Sequence, residues 1–158
     1  MLFKKIQDNQ IYAPTSGQYV PLEKINDTTF SSGLMGPGLG IYPKSSCIYS
    51  PIDGEITMIF PTGHAIGIKR KDNLEILIHI GIETVKLAGK GFNILTTLNK
   101  KVKKGDKLIS FDKKLIIDEN MDPTVIMIIT NFNEFHTEIK VTDSSIVTKE
   151  VIMYAEKK

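Results

Sequence analysis

Three histidines differ sharply in the company they keep. His79 is the one polar side chain in the apolar run from Ile76 to Ile82, within Leu74-Glu75-Ile76-Leu77-Ile78-His79-Ile80-Gly81. His64 sits in Phe60-Pro61-Thr62-Gly63-His64-Ala65-Ile66, at the start of another apolar stretch, and His136 lies in the polar segment Asn133-Glu134-Phe135-His136-Thr137, where exposure is expected. A facing pair of imidazoles suits phosphoryl transfer. A neutral ring nitrogen attacks phosphorus while an N–H of the second ring meets the charge on the equatorial oxygens. Such a pair needs neither metal nor cofactor when donor and acceptor are held in line. Thr62, two residues before His64, is placed to fix that ring's tautomer from its other nitrogen.

The segment that must bring these rings together reads as a β-hairpin turning at Arg70-Lys71-Asp72-Asn73. A two-residue loop at Lys71-Asp72 puts His64 directly opposite His79, with Cβ atoms roughly 4.5–5.5 Å apart. In that arrangement Nδ1 of His64 meets the Thr62 hydroxyl and Nδ1 of His79 meets a backbone carbonyl near Gly81, leaving both rings as Nδ1–H tautomers. A shift of one residue would send the rings to opposite faces. The turn lacks the Asn-Gly or Asp-Gly pair that would settle the register. A structural role for both histidines stays open at this level.

Around the hairpin, short stretches rich in Ile, Val, Thr and Tyr recur between Gly, Pro, Asn and Asp. They predict strands near Ile11-Tyr12, Gln18-Leu22, Gly38-Tyr42, Cys47-Tyr49, Gly54-Ile59, Ala65-Lys69, Glu75-His79, Lys107-Asp112, Thr124-Ile129 and Val151-Tyr154. Two turn segments look alike, Ala13-Pro14-Thr15-Ser16-Gly17 and Ser50-Pro51-Ile52-Asp53-Gly54, which hints at a weak internal repeat. Helix is scarce, with single turns expected at Asn93–Leu98 and Lys113–Glu119. The pattern is that of an all-β fold, an antiparallel β-sandwich or flattened barrel of short strands with one or two short helical turns. The expected organisation is one domain over residues 1–158, with residues 1–10 a flexible N-terminal segment.

Composition narrows the partners. An apolar share of 41% suits a soluble globular chain, and no window approaches the roughly 18 consecutive apolar residues of a membrane span. The N-terminus lacks the apolar stretch of a signal peptide, so the expected location is the cytoplasm, without direct membrane insertion. The lone Cys47 agrees with a reducing compartment and suggests no chemistry of its own. A net charge of +2 gives no ground for a nucleic-acid partner, and Lys100-Lys101-Val102-Lys103-Lys104 runs into the turn at Gly105-Asp106.

The segment His79-Ile80-Gly81-Ile82-Glu83-Thr84-Val85-Lys86-Leu87-Ala88-Gly89-Lys90-Gly91-Phe92 resembles the signature of the IIA domains of glucose-type permeases in the bacterial sugar phosphotransferase system. Ala13–Gly17, Gly36-Pro37-Gly38, Ser50–Gly54, Thr62-Gly63-His64-Ala65 and Val102–Leu108 fall in that family's order, so the likeness spans nearly the whole chain. The resemblance implies an antiparallel β-sandwich. It implies that His79 accepts phosphate through Nε2 from the small carrier HPr and passes it to a cysteine of a IIB domain. His64 would assist the transfer and Thr62 would orient His64. An apolar docking face would comprise Phe30, Leu34, Met35, Phe60, Ile66 and Val85, with Asp27 and Glu83 as flanking carboxylates. Glu83 stands where aspartate is more usual, and Lys86 where some relatives carry an acid. The resemblance leaves the imported sugar open.

Three other functions are conceivable for such a histidine pair and fold. A β-rich zinc peptidase would need a third ligand near the histidine pair, and residues 68 and 77 are Ile and Leu. A lipoyl- or biotinyl-type carrier would need a lysine at a hairpin tip within a modification motif, and none is present. A regulatory protein that binds partners through the same face is compatible with the sequence.

Overall fold

A computed structural model describes residues 9–158. Its strands are β1 (Gln10–Tyr12), β2 (Gly17–Pro21), β3 (Gly38–Pro43), β4 (Cys47–Tyr49), β5 (Gly54–Ile59), β6 (Ala65–Lys69) and β7 (Glu75–Ile80). There follow β8 (Phe92–Ile94), β9 (Lys101–Val102), β10 (Lys107–Phe111), β11 (Val125–Ile129), β12 (Phe135–Ile139), β13 (Ser145–Ile146) and β14 (Val151–Lys157). Two short helices, α1 (Thr28–Ser31) and α2 (Lys113–Asp118), and 3-10 turns at Leu22–Lys24, Thr84–Leu87 and Phe132–Glu134 complete the described chain. The fold is all-β and antiparallel, as the strand spacing predicts.

An eight-stranded sheet runs β13-β2-β3-β11-β7-β6-β5-β9, and two three-stranded sheets run β1-β14-β12 and β4-β10-β8. The central β11, Val-Ile-Met-Ile-Ile, is buried on both faces, which is why it reads as an unbroken apolar run. Its neighbour β7 alternates: Ile76, Ile78 and Ile80 enter the main core, while Leu77 and His79 face the other way. That second face carries a small cluster of Ile25, Phe30, Ile82, Ile126 and Ile128. Each fully buried Ile stabilises the fold by about 1.5–3 kcal/mol relative to exposure. Phe30 reaches the cluster from α1, whose first turn is capped by Asp27 Oδ1 accepting from Thr29 N–H at 3.0 Å.

The two similar turns are locked together. Tyr12 N–H donates to Pro51 O at 2.9 Å, and Tyr49 N–H donates to Pro14 O at 2.8 Å. Other expectations need correction. Asn93–Leu98 is not a helical turn: Phe92–Ile94 form β8, because residues 92–94 pair with β10 and gain ladder bonds no isolated turn could offer. Strands β9, β12 and β13 have no clear signal in the sequence, being short or mostly polar. Of the N-terminal segment, residues 1–8 lie outside the described residues. Gln10 is not a free tail but opens β1, opposite Tyr154.

Candidate functional site

The hairpin that carries the histidines turns through three residues, not two. Asn73 N–H donates to Arg70 O at 2.9 Å and Arg70 N–H to Leu74 O at 2.8 Å. Asn73 takes φ 74°, a left-handed conformation that asparagine tolerates and that closes three-residue loops. The register therefore sets Ala65, not His64, opposite His79. The rings still meet, because His64 is not in the strand. It follows Gly63, which bends the chain at φ 77°, so strand alternation does not aim its side chain. The imidazole centroids lie 5.0 Å apart, edge to face at 77°.

Each Nδ1 has a partner. Thr62 Oγ1 is hydrogen-bonded to Nδ1 of His64 at 2.5 Å, and Nδ1 of His79 lies 2.8 Å from Gly81 O. A carbonyl only accepts, so His79 carries its proton on Nδ1 and keeps the Nε2 lone pair free. Burial lowers the pKa of His64 to about 4, with the neighbouring His79 adding to the shift. Burial also lowers that of His79, against the opposing pull of the Gly81 carbonyl and the Asp27 carboxylate. Both rings are neutral at pH 7.

Aromatic rings flank the pair. Phe60 meets His64 edge-on at 5.0 Å, and Phe30 tilts against His79 at 5.3 Å. Leu34 is 85% exposed, Val85 52%, and Met35 and Phe60 are also open to solvent. Two of the expected docking residues are not surface groups. Ile66 is fully buried in the main core, since its side chain lies on the inner face of β6 with Ile68. Phe30 is buried too, and it supports His79 instead of standing in the rim. Asp27 is tied up as the α1 cap. Glu83 is exposed and ion-paired with Lys86 at 2.5 Å, so the acid and the lysine at these two positions offset each other's charge. His136 is exposed in β12, away from these contacts.

Among the described residues, no group of three or more His, Cys, Asp or Glu side chains is arranged to hold a metal, so the zinc reading has no ligand set. Two residues that the sequence reading passed over lie behind the site. Thr84 Oγ1 donates to Ile80 O, and Asp122 Oδ1 accepts from Thr124 N–H at 2.9 Å and from Thr124 Oγ1 at 2.6 Å. The Asp-Pro-Thr order at 122–124 was the available signal, since Asp readily bonds the backbone two residues on.

Residues 9–135 match the family model of the phosphoenolpyruvate-dependent sugar phosphotransferase system, EIIA 1. The chain belongs to this EIIA family. It is 41% identical over 147 residues to the glucose-specific EIIA component of Staphylococcus epidermidis, spanning 92% of this chain and 88% of that one. Against the glucose-specific EIIA component of Bacillus cereus it is 42% identical over 148 residues, spanning 94% and 89%. A longer relative, the glucoside-specific EIICBA component of Staphylococcus carnosus, is 43% identical over 129 residues, which are 82% of this chain and 19% of that protein. The solved glucose permease IIA of Mycoplasma capricolum superposes with a TM-score of 0.81 at 32% identity, covering 91% of this chain and 93% of that one. As an EIIA, the chain is a phosphotransferase component, a phosphocarrier of the sugar phosphotransferase system. No helix among the described residues is long and apolar enough to cross a membrane.

Proposed function

We propose that His79 is the phosphoryl carrier, that HPr is its donor, and that a cysteine of the IIB domain of a glucose-type permease is its acceptor. The observation that carries this reading is the ring pair, with centroids 5.0 Å apart and Nδ1 of His79 committed to Gly81 O. In the first step the His79 Nε2–P bond forms as the N–P bond of phospho-HPr breaks. In the second the S–P bond forms on IIB as the bond to His79 breaks. While Nε2 bonds to phosphorus, the His79 ring gains positive character, and its Nδ1–H bond to Gly81 O strengthens with it.

His64 is proposed to donate a hydrogen bond to a phosphoryl oxygen, which refines the tautomer expected for it. A neutral ring with its proton on Nδ1 has no N–H left on Nε2. The donating role therefore requires the Thr62 hydroxyl to give its hydrogen to Nδ1, leaving the His64 proton on Nε2. The exposed Leu34, Met35, Phe60 and Val85 are proposed as the apolar docking rim, which excludes water when a partner is seated and strengthens the electrostatics around the transferred group. We place the chain in the cytoplasm, working as one IIA domain.

Incubation with phosphoenolpyruvate, the general phosphotransferase enzyme and HPr tests this. The wild type should gain one acid-labile phosphate and His79→Gln none. Phosphate retained by that variant overturns the assignment.

A further inference from the structure

We propose that Thr84 and Asp122 are positioning residues for His79, acting through the Gly81 carbonyl; this rests on reading His79 as the phosphoryl carrier. Gly81 ends the hairpin at φ 77°, one residue beyond β7, where the strand ladder no longer fixes its peptide. Groups from outside the strand hold it instead. Gly81 N–H donates to Thr124 O at 2.9 Å and Ile82 N–H to Asp122 O at 2.8 Å. These two accepting carbonyls are two residues apart, and the Asp122 carboxylate sets their spacing by taking both the N–H and the hydroxyl of Thr124.

Thr84 closes the other side. Its hydroxyl donates to Ile80 O, and Ile80 N–H in turn donates to His64 O at 2.7 Å, so one clamped residue joins the backbones of both histidines. The Thr84 methyl lies directly over Gly81, where an added Cβ would stand 2.4 Å from it. Thr84 is fully buried, and Asp122 is half-buried. With the peptides on both sides of Gly81 held in this way, its carbonyl has one direction available, onto Nδ1 of His79. Both residues therefore act on the tautomer of His79 through the backbone of its loop.

The test uses the full chain and reads two things: nitrogen NMR of the His79 ring before phosphorylation, and the rate of phosphate acceptance from phospho-HPr. Thr84→Val keeps the side-chain shape and removes the donor; Asp122→Ala removes the acceptor at a more exposed position. Each should turn a single Nδ1–H ring into a mixture of tautomers and slow acceptance by about tenfold. Thr84→Ser and Asp122→Asn should restore both readouts. A ring that stays wholly Nδ1–H in Thr84→Val and Asp122→Ala overturns the proposal, even if melting temperature falls. Should Thr84→Val fail to fold, Asp122→Ala decides alone. The ring measurement needs no phosphate, so it stands apart from the outcome of the His79→Gln experiment.

Discussion

His79 pairs with Ala65 across the β6–β7 ladder, one residue short of His64, yet its ring lies 5.0 Å from the His64 ring. Direct cross-strand pairing would have fixed the two side chains in parallel. The offset lets His64 arrive from a bend, side-on, with a different set of anchors. The two rings are thus held by independent hydrogen bonds, Thr62 for one and Gly81 for the other.

Independent anchoring predicts separable roles. His64→Gln should still take phosphate from HPr, because the proposed nucleophile, His79, and its Gly81 bond remain. It should pass phosphate to IIB about 10²–10³-fold more slowly, the loss that removing one charge-stabilising hydrogen-bond donor brings. Rapid-quench measurement of both half-reactions checks this, and donation at the native rate would remove His64 from the mechanism.

The pH dependence of stability has a definite sign. The His64 pKa falls from an ordinary 6.5 to about 4 in the folded chain, so the unfolded chain binds more protons between those values. His64 contributes its full share of stability above pH 6.5 and loses it progressively as pH falls towards 4. Thermal melts across this window should show a decline that is shallower in His64→Gln. Superimposable profiles would refute the assignment of that acid sensitivity to His64.

Exposure separates binding from folding at the rim. Leu34→Asp should change stability by no more than about 0.5 kcal/mol, as surface substitutions do. It should weaken HPr and IIB binding together in calorimetric titrations. Phe30→Ala should instead cost about 3–5 kcal/mol, because Phe30 is buried against His79. A large fall in melting temperature for Leu34→Asp would mean that its side chain is not free.

Ile66 offers the complementary case. Ile66→Ala should cost about 2–5 kcal/mol through the cavity it leaves, with partner affinity unchanged in the fraction that stays folded. Denaturant unfolding beside a binding titration distinguishes the two effects. Loss of affinity without loss of stability would return Ile66 to the docking face.

The legibility of this chain in sequence depended on range. Strand β7 was readable because Ile76, Ile78 and Ile80 alternate with Leu77 and His79, and β11 because its five apolar residues must be buried on both sides. The hairpin register was misread by one residue. The αL-tolerant Asn73 was the clue, but the loop is also held by Arg70, which makes a bidentate pair with Asp72 and bonds Ala155 O, far along the chain. The family resemblance puts Ile66 on the docking face, but a matching position does not carry burial: the Ile66 side chain lies on the inner face of β6 with Ile68. The Asp-Pro-Thr order announces the local Asp122 turn but not the Gly81–Ile82 peptide it holds, which belongs to another segment, whereas Thr84 reaches Ile80 O within its own loop.

Burial leaves both imidazoles uncharged at rest, and the one cation in the adjoining 3-10 turn, Lys86, is matched by Glu83. Free inorganic phosphate, at millimolar concentration and pH 7, should accordingly leave the imidazole resonances where they are. A pocket of two protonated rings would behave as a trap for any passing anion, occupied by bulk phosphate before a partner could arrive. The neutral pair has no such appetite. In the proposed role it would be selective by indifference: a phosphoryl group would stop there only when a protein seated on the rim delivers it with the reactivity to move on.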